Sequence, residues 1–333
     1  MVQHHDTNHQ ERQSPVIASG AANHRKPRPT IIIIPGAWHQ PVHYTALAEP
    51  LRQQGYKVEV AALSTMGDPD AIRAKTHHDD VEIVRALLEP HLAAGREVVL
   101  VGHSYGGLVA TDTAAGFTVE ERGAVPMGPD GGLQVQGGGV RAVVYIASPA
   151  VVEKGISLTT GMEKMSMGDP PANEGKVTTV VPSLPYQTHI SRAAKYQHQS
   201  SLDPPASPAN RRHKNNKLED GVAKTSDECW KHLYSPADEK VSRAAFAASR
   251  RHHSVASFLS ASAAGARDLR ARLAYVVAAA DEFTLSPAVQ HRIADGMGPR
   301  CEKHVFEGAG HAPWLQPELL PRLVGVITGV AED

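Results

Sequence analysis

The chain has 333 residues, a formal net charge of −1 and 41% hydrophobic side chains. That length is more than one ordinary domain needs but suits a single α/β domain with an insertion and a sizeable core. The near-neutral balance excludes a nucleic-acid footprint and an electrostatic membrane anchor, and no apolar run is long enough to span a bilayer. Two distant cysteines, Cys229 and Cys301, make neither a disulfide framework nor a thiolate metal site.

Residues 1–29 are rich in His, Gln, Asn, Ser and Arg, without apolar periodicity or the apolar core of a signal peptide. A disordered tail on a cytoplasmic protein is expected. His4, His5, His9 and His24 are too irregularly spaced to read as metal ligands. Thr30–Ile34 is apolar throughout after its first residue and predicts a central strand buried on both faces. It ends in the loop Pro35-Gly36-Ala37-Trp38-His39-Gln40-Pro41, where glycine lets the backbone approach a ligand. A helix is predicted from about Val42 to Gln54, with Pro50 kinking it or marking a late break, and a strand over Lys57–Ala61. After a loop, Asp79 or Asp80 reads as the N-cap of a helix from Val81 to about Ala93. Capping explains those carboxylates, and neighbouring histidines do not easily face one site, so His77-His78 does not read as a metal centre.

Val98-Val99-Leu100-Val101 is again a doubly buried strand, followed at once by Gly102-His103-Ser104-Tyr105-Gly106 and then by a buried helix through Ala115. Strand, serine-centred turn and helix are the context of a nucleophile elbow. The serine must occupy a strained turn, so residues two positions away must lack side chains; Gly102 and Gly106 do. The glycine-rich stretch Phe117–Gly139 reads as a surface loop, and Arg141–Ala147 as another central strand. Alternating strands and helices imply a mostly parallel sheet covered on both faces, so residues 30–148 form the first part of an α/β core.

Residues 149–267 break the pattern and read as an inserted, mostly helical cap containing a disordered loop at 201–226. The basic run Arg211–Lys217 lacks interleaved aromatics and reads as solvated linker. The core resumes over 268–333: a strand at Leu273–Ala280 leads into Asp281-Glu282, a helix starts at Ser286-Pro287, a short strand covers Lys303–Phe306, and a last helix runs from about Pro317 to Val330. His311 lies in the glycine-rich loop after that last strand.

Ser104, Asp281 and His311 thus stand in order, each just past the end of a strand, where open α/β sheets place their sites. A serine hydroxyl needs an imidazole to take its proton, and the imidazole needs a carboxylate to fix its tautomer. Glu282 rivals Asp281 for that role but stands one residue further from the strand. Backbone N–H groups for an oxyanion are expected from Tyr105 and from the loop after the isoleucine strand. Trp38, Trp230, Tyr234 and Phe258 are candidate pocket residues, with simple packing as the alternative for each.

The chain resembles the α/β-hydrolase superfamily, in the branch with plant methyl-ester esterases, hydroxynitrile lyases and many fungal hydrolases. The resemblance rests on Pro35–His39, Gly102–Gly107, Asp281–Phe283 with Gln290, and Gly308–His311, and covers the core from about Thr30 onwards. It implies the short form of the α/β-hydrolase fold, with Ala37 as the second oxyanion donor; Pro35 replaces a common histidine. It also implies a serine hydrolase for a small to medium apolar ester or lactone, without metal or cofactor. A lyase and a non-catalytic receptor are the alternatives on this scaffold. Related hydroxynitrile lyases carry a lysine after the catalytic histidine, where this chain has Ala312.

Overall fold

The computed structural model describes residues 1, 27–123, 137–166, 221–281, 283 and 285–332. The expected tail (residues 2–26), most of the expected loop (residues 201–220) and Glu282 lie outside the described residues. The strands are β1 (Thr30–Ile34), β2 (Val58–Val60), β3 (Glu97–His103), β4 (Gly139–Ile146), β5 (Val222–Lys224), β6 (His252–Ser254), β7 (Arg272–Ala278) and β8 (Cys301–Phe306). Six of them form one parallel sheet in the order β2-β1-β3-β4-β7-β8, while β5 and β6 pair antiparallel by themselves. The helices are α1 (Thr45–Gln53), α2 (Pro69–Ile72), α3 (His77–Ala93), α4 (Gly106–Ala114), α5 (Val119–Gly123), α6 (Leu158–Ser166), α7 (Trp230–Leu233), α8 (Glu239–Ala248), α9 (Ala256–Leu259), α10 (Pro287–Gly296) and α11 (Leu320–Glu332).

Strand side chains alternate between two cores. Ile32, Ile34, Leu100, Val143 and Tyr275 face one, with Val84 and Leu88 of α3, Leu108 of α4 and Ile293 of α10. Ile31, Ile33, Val101, Val144 and Val276 face the other, with Leu47 and Leu51 of α1 and Leu323 and Ile327 of α11. Two covered faces explain why the central strands read as unbroken apolar runs rather than as alternation. Each buried isoleucine or leucine contributes about 1.5–3 kcal/mol of transfer free energy, which makes these strands the frame for everything else. The pairings Ile34–Gly102, Gly102–Tyr145, Ile146–Val276 and Ala278–Phe306 bring the strands' carboxyl ends to one edge.

Several boundaries differ from the sequence reading. The helix expected over 42–54 is a 3-10 turn, Pro41–Tyr44, followed by α1, which holds Pro50 inside its last turn. Helix α3 begins at His77 rather than Val81. Thr76 is its N-cap, and Asp79 completes the capping box by accepting from the Thr76 N–H. Asp80 does not cap; it is turned inward and fully buried. The glycine-rich stretch after α4 contains α5, and β4 starts at Gly139. The insertion between β4 and β7 is not simply helical. Residues 221–226, expected within a disordered loop, include β5, whose Val222 and Ala223 are buried against the β6 strand. Among the described residues, no helix is long and apolar enough to cross a membrane.

The sheet edge tests simply. A Cβ added at Gly106 would lie 2.2 Å from the Ile34 carbonyl oxygen and 2.7 Å from that of Pro35. Both are backbone atoms at the end of β1 and cannot rotate away. Gly106→Ala is expected to lower stability by about 3 kcal/mol or more. Gly329→Ala, where nothing lies within 4 Å on α11, is expected to be neutral or to gain up to about 1 kcal/mol. Thermal and urea unfolding of the pair check this; equal midpoints would refute the steric argument.

Candidate active site

Ser104 opens the turn between β3 and α4 with φ at 49°, a left-handed conformation that non-glycine residues rarely adopt. Three hydrogen bonds hold it. The Ser104 N–H donates to the Ile146 carbonyl at 3.0 Å, and the Ser104 carbonyl accepts from Gly107 N–H at 2.9 Å and Ser148 Oγ at 2.8 Å. The hydroxyl-bearing residue is left 7% exposed in an otherwise closed environment.

His311 and Asp281 meet across the ends of β8 and β7. His311 Nδ1 donates to Asp281 Oδ2 at 2.8 Å, with both side chains almost fully buried. A carboxylate accepts, so Nδ1 carries the hydrogen and Nε2 is left as the basic nitrogen. Asp281 is itself oriented: Phe283 N–H donates to its Oδ1 at 2.8 Å, and Gln290 Nε2 lies 3.4 Å from Oδ2. Gln290 also exchanges hydrogen bonds with both backbone groups of Ala278, clamping α10 to the end of β7.

His103, the residue before Ser104, ties these loops together. Gly36 N–H donates to Tyr44 Oη at 2.8 Å, Tyr44 O–H donates to His103 Nδ1 at 2.8 Å, and His103 Nε2–H donates to the His311 carbonyl at 3.0 Å. This is the assignment that gives every member a partner, and it requires a neutral His103. Burial does push His103 well below its ordinary pKa, with the nearby imidazoles of His311 and His39 acting in the same direction. His39 is likewise lowered by burial and by His43, and its Nδ1 bonds the Ala37 carbonyl at 2.8 Å. The N–H groups of Ala37 and Tyr105 donate to no protein acceptor among the described residues, whereas Gly36 and Ser104 N–H are engaged.

Tyr105 is anchored from the other side. Its hydroxyl donates to Asp80 Oδ2 at 2.8 Å, and that oxygen also accepts from Thr65 Oγ1 at 2.6 Å. Asp80 Oδ1 accepts from Ser64 N–H, Ser64 Oγ and Thr65 N–H. Burial pushes the Asp80 carboxyl up, against the pull of these donors. Thr65 Oγ1 also lies 3.2 Å from His253 Nε2 on β6, joining the network to the inserted segment.

An aromatic wall stands beside His311. Trp38 packs on His253, Phe258 and Phe283 at ring separations of 5.8, 6.3 and 6.3 Å, and Phe283 lies 5.3 Å from His311. Phe258 meets the Tyr105 ring at 5.6 Å. Of the other two candidates for the pocket, Tyr234 is buried edge-on to His39 at 5.6 Å. Trp230 lies under the Arg243 guanidinium at 4.0 Å, packed against the second core. The sequence reading did not bring Tyr44 or His253 to the site and took Asp80 only for a possible cap. Each is a polar side chain that reaches the site from a distant segment. Sequence spacing carries no sign of that, although His103 inside the elbow was visible.

Four histidines at or beside the site, His39, His43, His103 and His253, are held below their ordinary pKa by burial, His253 down to about 3. The unfolded chain therefore binds more protons than the folded one below about pH 6.5, so stability falls as pH drops through that range. Each such histidine contributes a slope of up to about 1.4 kcal/mol per pH unit. Asp80, shifted the opposite way, offsets part of it at the acid end. Urea midpoints are expected to fall markedly between about pH 7 and pH 5; a flat profile would mean these imidazoles are not held neutral.

The chain matches the family model described as the alpha/beta hydrolase family over residues 31–321. It is similar to the alpha/beta hydrolase nvfD of Aspergillus novofumigatus, 32% identical over 136 residues, which are 41% of this chain and 49% of that protein. It is also similar to a probable hydrolase, R7, of a Phoma species, 32% identical over 121 residues, 36% of this chain and 43% of that one. These matches thus span about half the length of the curated relatives or less. Among solved structures, a pyrethroid hydrolase of Sphingobium faniae superposes with a TM-score of 0.57 at 18% identity, covering 92% of this chain and 98% of that one. A methylesterase from Arabidopsis superposes with a TM-score of 0.54 at 15% identity, covering 90% and 99%. These two likenesses speak for the fold, and the family match extends from β1 into α11: this chain belongs to the alpha/beta hydrolase family.

Proposed function

We propose that this protein is a serine hydrolase of small to medium, largely apolar carboxylic esters or lactones. The observation that carries the reading is the buried Asp281–His311 hydrogen bond, whose geometry leaves His311 Nε2 basic, on a loop bonded to the residue before a left-handed Ser104. Ser104 Oγ attacks the carbonyl carbon while its proton passes to His311 Nε2. The oxyanion takes the unspent N–H groups of Ala37 and Tyr105, and Asp281 stabilises the imidazolium. His311 then protonates the departing alkoxide. Water, deprotonated by the same nitrogen, releases the acid from the acyl-enzyme. The wall of Trp38, Phe258 and Phe283 supports an apolar substrate. The chain's relatives, themselves described as hydrolases, support the reaction class.

Turnover of a short aryl ester such as p-nitrophenyl butyrate tests the reading. Ser104→Ala is expected to abolish turnover with the fold intact, because only a buried hydroxyl is removed. Asp281→Asn is expected to lose roughly 10⁴-fold in kcat through the wrong histidine tautomer, while Glu282→Gln keeps near-normal turnover. Full activity in Ser104→Ala would remove the acyl-enzyme mechanism, and a dead Glu282→Gln beside an active Asp281→Asn would move the acid to residue 282.

A further inference from the structure

A second hydrogen-bonded serine, histidine and carboxylate stands outside the site described above. Ser260, half-buried just after α9, has its Oγ 2.5 Å from His77 Nδ1. His77 Nε2 lies 2.9 Å from Asp112 Oδ2, and both of these side chains are fully buried. Asp112 is on α4, the helix that begins at the Ser104 elbow. Its oxygens also accept from Ala263 N–H at 2.8 Å and Ala264 N–H at 3.0 Å. With each side-chain oxygen of Asp112 already accepting a backbone N–H, His77 Nε2 is the donor to Oδ2, and Nδ1 presents its lone pair to the serine. Among the described residues the Ser260 hydroxyl has one other acceptor, the Ser257 carbonyl at 3.5 Å; that distance is at the limit of a hydrogen bond and leaves His77 as the acceptor of its proton.

The sequence reading set His77-His78 aside on the ground that neighbouring histidines diverge. In the structure their rings lie 3.9 Å apart, and His77 Nε2, His78 Nδ1 and the Asp112 oxygen fall within 4.8 Å of one another. Both His77 nitrogens are already engaged, however, one by a carboxylate and one by a hydroxyl. That is the arrangement of a base-activated nucleophile rather than of a vacant ligand set.

We propose that Ser260 is a second activated serine, acylated by small activated acyl donors and slow to release the acyl group. Its Oγ bonds to the acyl carbon, the ester C–O bond breaks, the phenolate or comparable alkoxide departs, and the serine proton passes to His77 Nδ1 and then to solvent. The nearby N–H groups of Ala263 and Ala264 are spent on Asp112 and offer nothing to an oxyanion. Acylation by a reactive donor therefore proceeds, whereas hydrolysis of the acyl-serine stalls, and the product accumulates at one equivalent.

The test uses the Ser104→Ala chain, so that it does not depend on the role proposed for Ser104, with p-nitrophenyl acetate as the probe. Intact mass and peptide mapping are expected to show one acetyl group on Ser260, with about one equivalent of p-nitrophenolate released and no turnover. Ser104→Ala/Ser260→Ala, altered at a half-buried loop position, is expected to fold normally and stay unlabelled at this peptide. Ser104→Ala/Asp112→Asn, once checked for native circular dichroism, is expected to label at least about tenfold more slowly because the tautomer is no longer fixed. No acetyl on Ser260, or an undiminished rate in a folded Asp112→Asn chain, would overturn the proposal. Loss of ester turnover in Ser104→Ala bears on the first site alone and leaves this outcome readable.

Discussion

The left-handed backbone at Ser104 is the constraint on which the rest of the structure depends. Such a conformation costs on the order of 1–3 kcal/mol and survives only where its surroundings over-determine it. Here β1 and β4 flank the turn, the Ile146 carbonyl takes the Ser104 N–H, and a Cβ at Gly102 would lie 2.7 Å from both the Gly106 carbonyl oxygen and the Gly107 Cα. The demand propagates outward. A turn this tight needs a strand that does not shift, and a strand that does not shift needs apolar cover on both faces. Trp38 at φ 65° and Ala147 at φ 45° are also left-handed, one following Ala37 and the other following β4. Among the described non-glycine residues, backbone strain is thus gathered at a single sheet edge.

Placement of His311 follows from the same turn. His103 lies on the strand side of Ser104 and reaches the His311 carbonyl, so the residue next to the serine sets the position of the imidazole loop. Through Tyr44 the same ring is linked to Gly36, next to Ala37. The loops that hold Gly36, Ser104 and His311 are therefore joined through one imidazole. The arrangement works only with a neutral His103, because a cation 4.8 Å from the His311 ring would oppose its protonation. Burial is the main source of that neutrality, and the neighbouring imidazoles of His311 and His39 add to it.

Central strands and the elbow were legible in the sequence because their signals are local. Four consecutive isoleucines, or four apolar residues before Gly-x-Ser-x-Gly, state both burial and turn geometry within ten positions. Ser286-Pro287 was legible for the same reason, as a cap followed by proline, and Ser286 Oγ does accept from Val289 N–H. Asp80 was not legible. Beside Asp79, at the head of a helix, it looks like a cap; its real partners lie fifteen, sixteen and twenty-five residues away in sequence. Strand β5 was missed because three residues in a polar, low-complexity setting carry no periodicity, and the pairing with β6 that defines them is decided by tertiary contact.

Two buried carboxylates show how the inserted segment is held to the body. Asp80 on α3 connects through Thr65 to His253 on β6, and Asp112 on α4 takes the backbone N–H groups of Ala263 and Ala264. Apolar contacts such as Trp38 on Phe258 supply attraction but little register, since one apolar surface slides on another at small cost. A desolvated anion behaves differently. It is tolerable only while its donors stay within hydrogen-bonding distance, and each donor withdrawn costs about 1–3 kcal/mol, more for a charged acceptor. Tyr105 is tied directly to Asp80, and its ring meets Phe258 of the apolar wall. Their positions relative to Ser104 are therefore fixed by the polar networks, while the aromatic packing provides the surface that a substrate would meet.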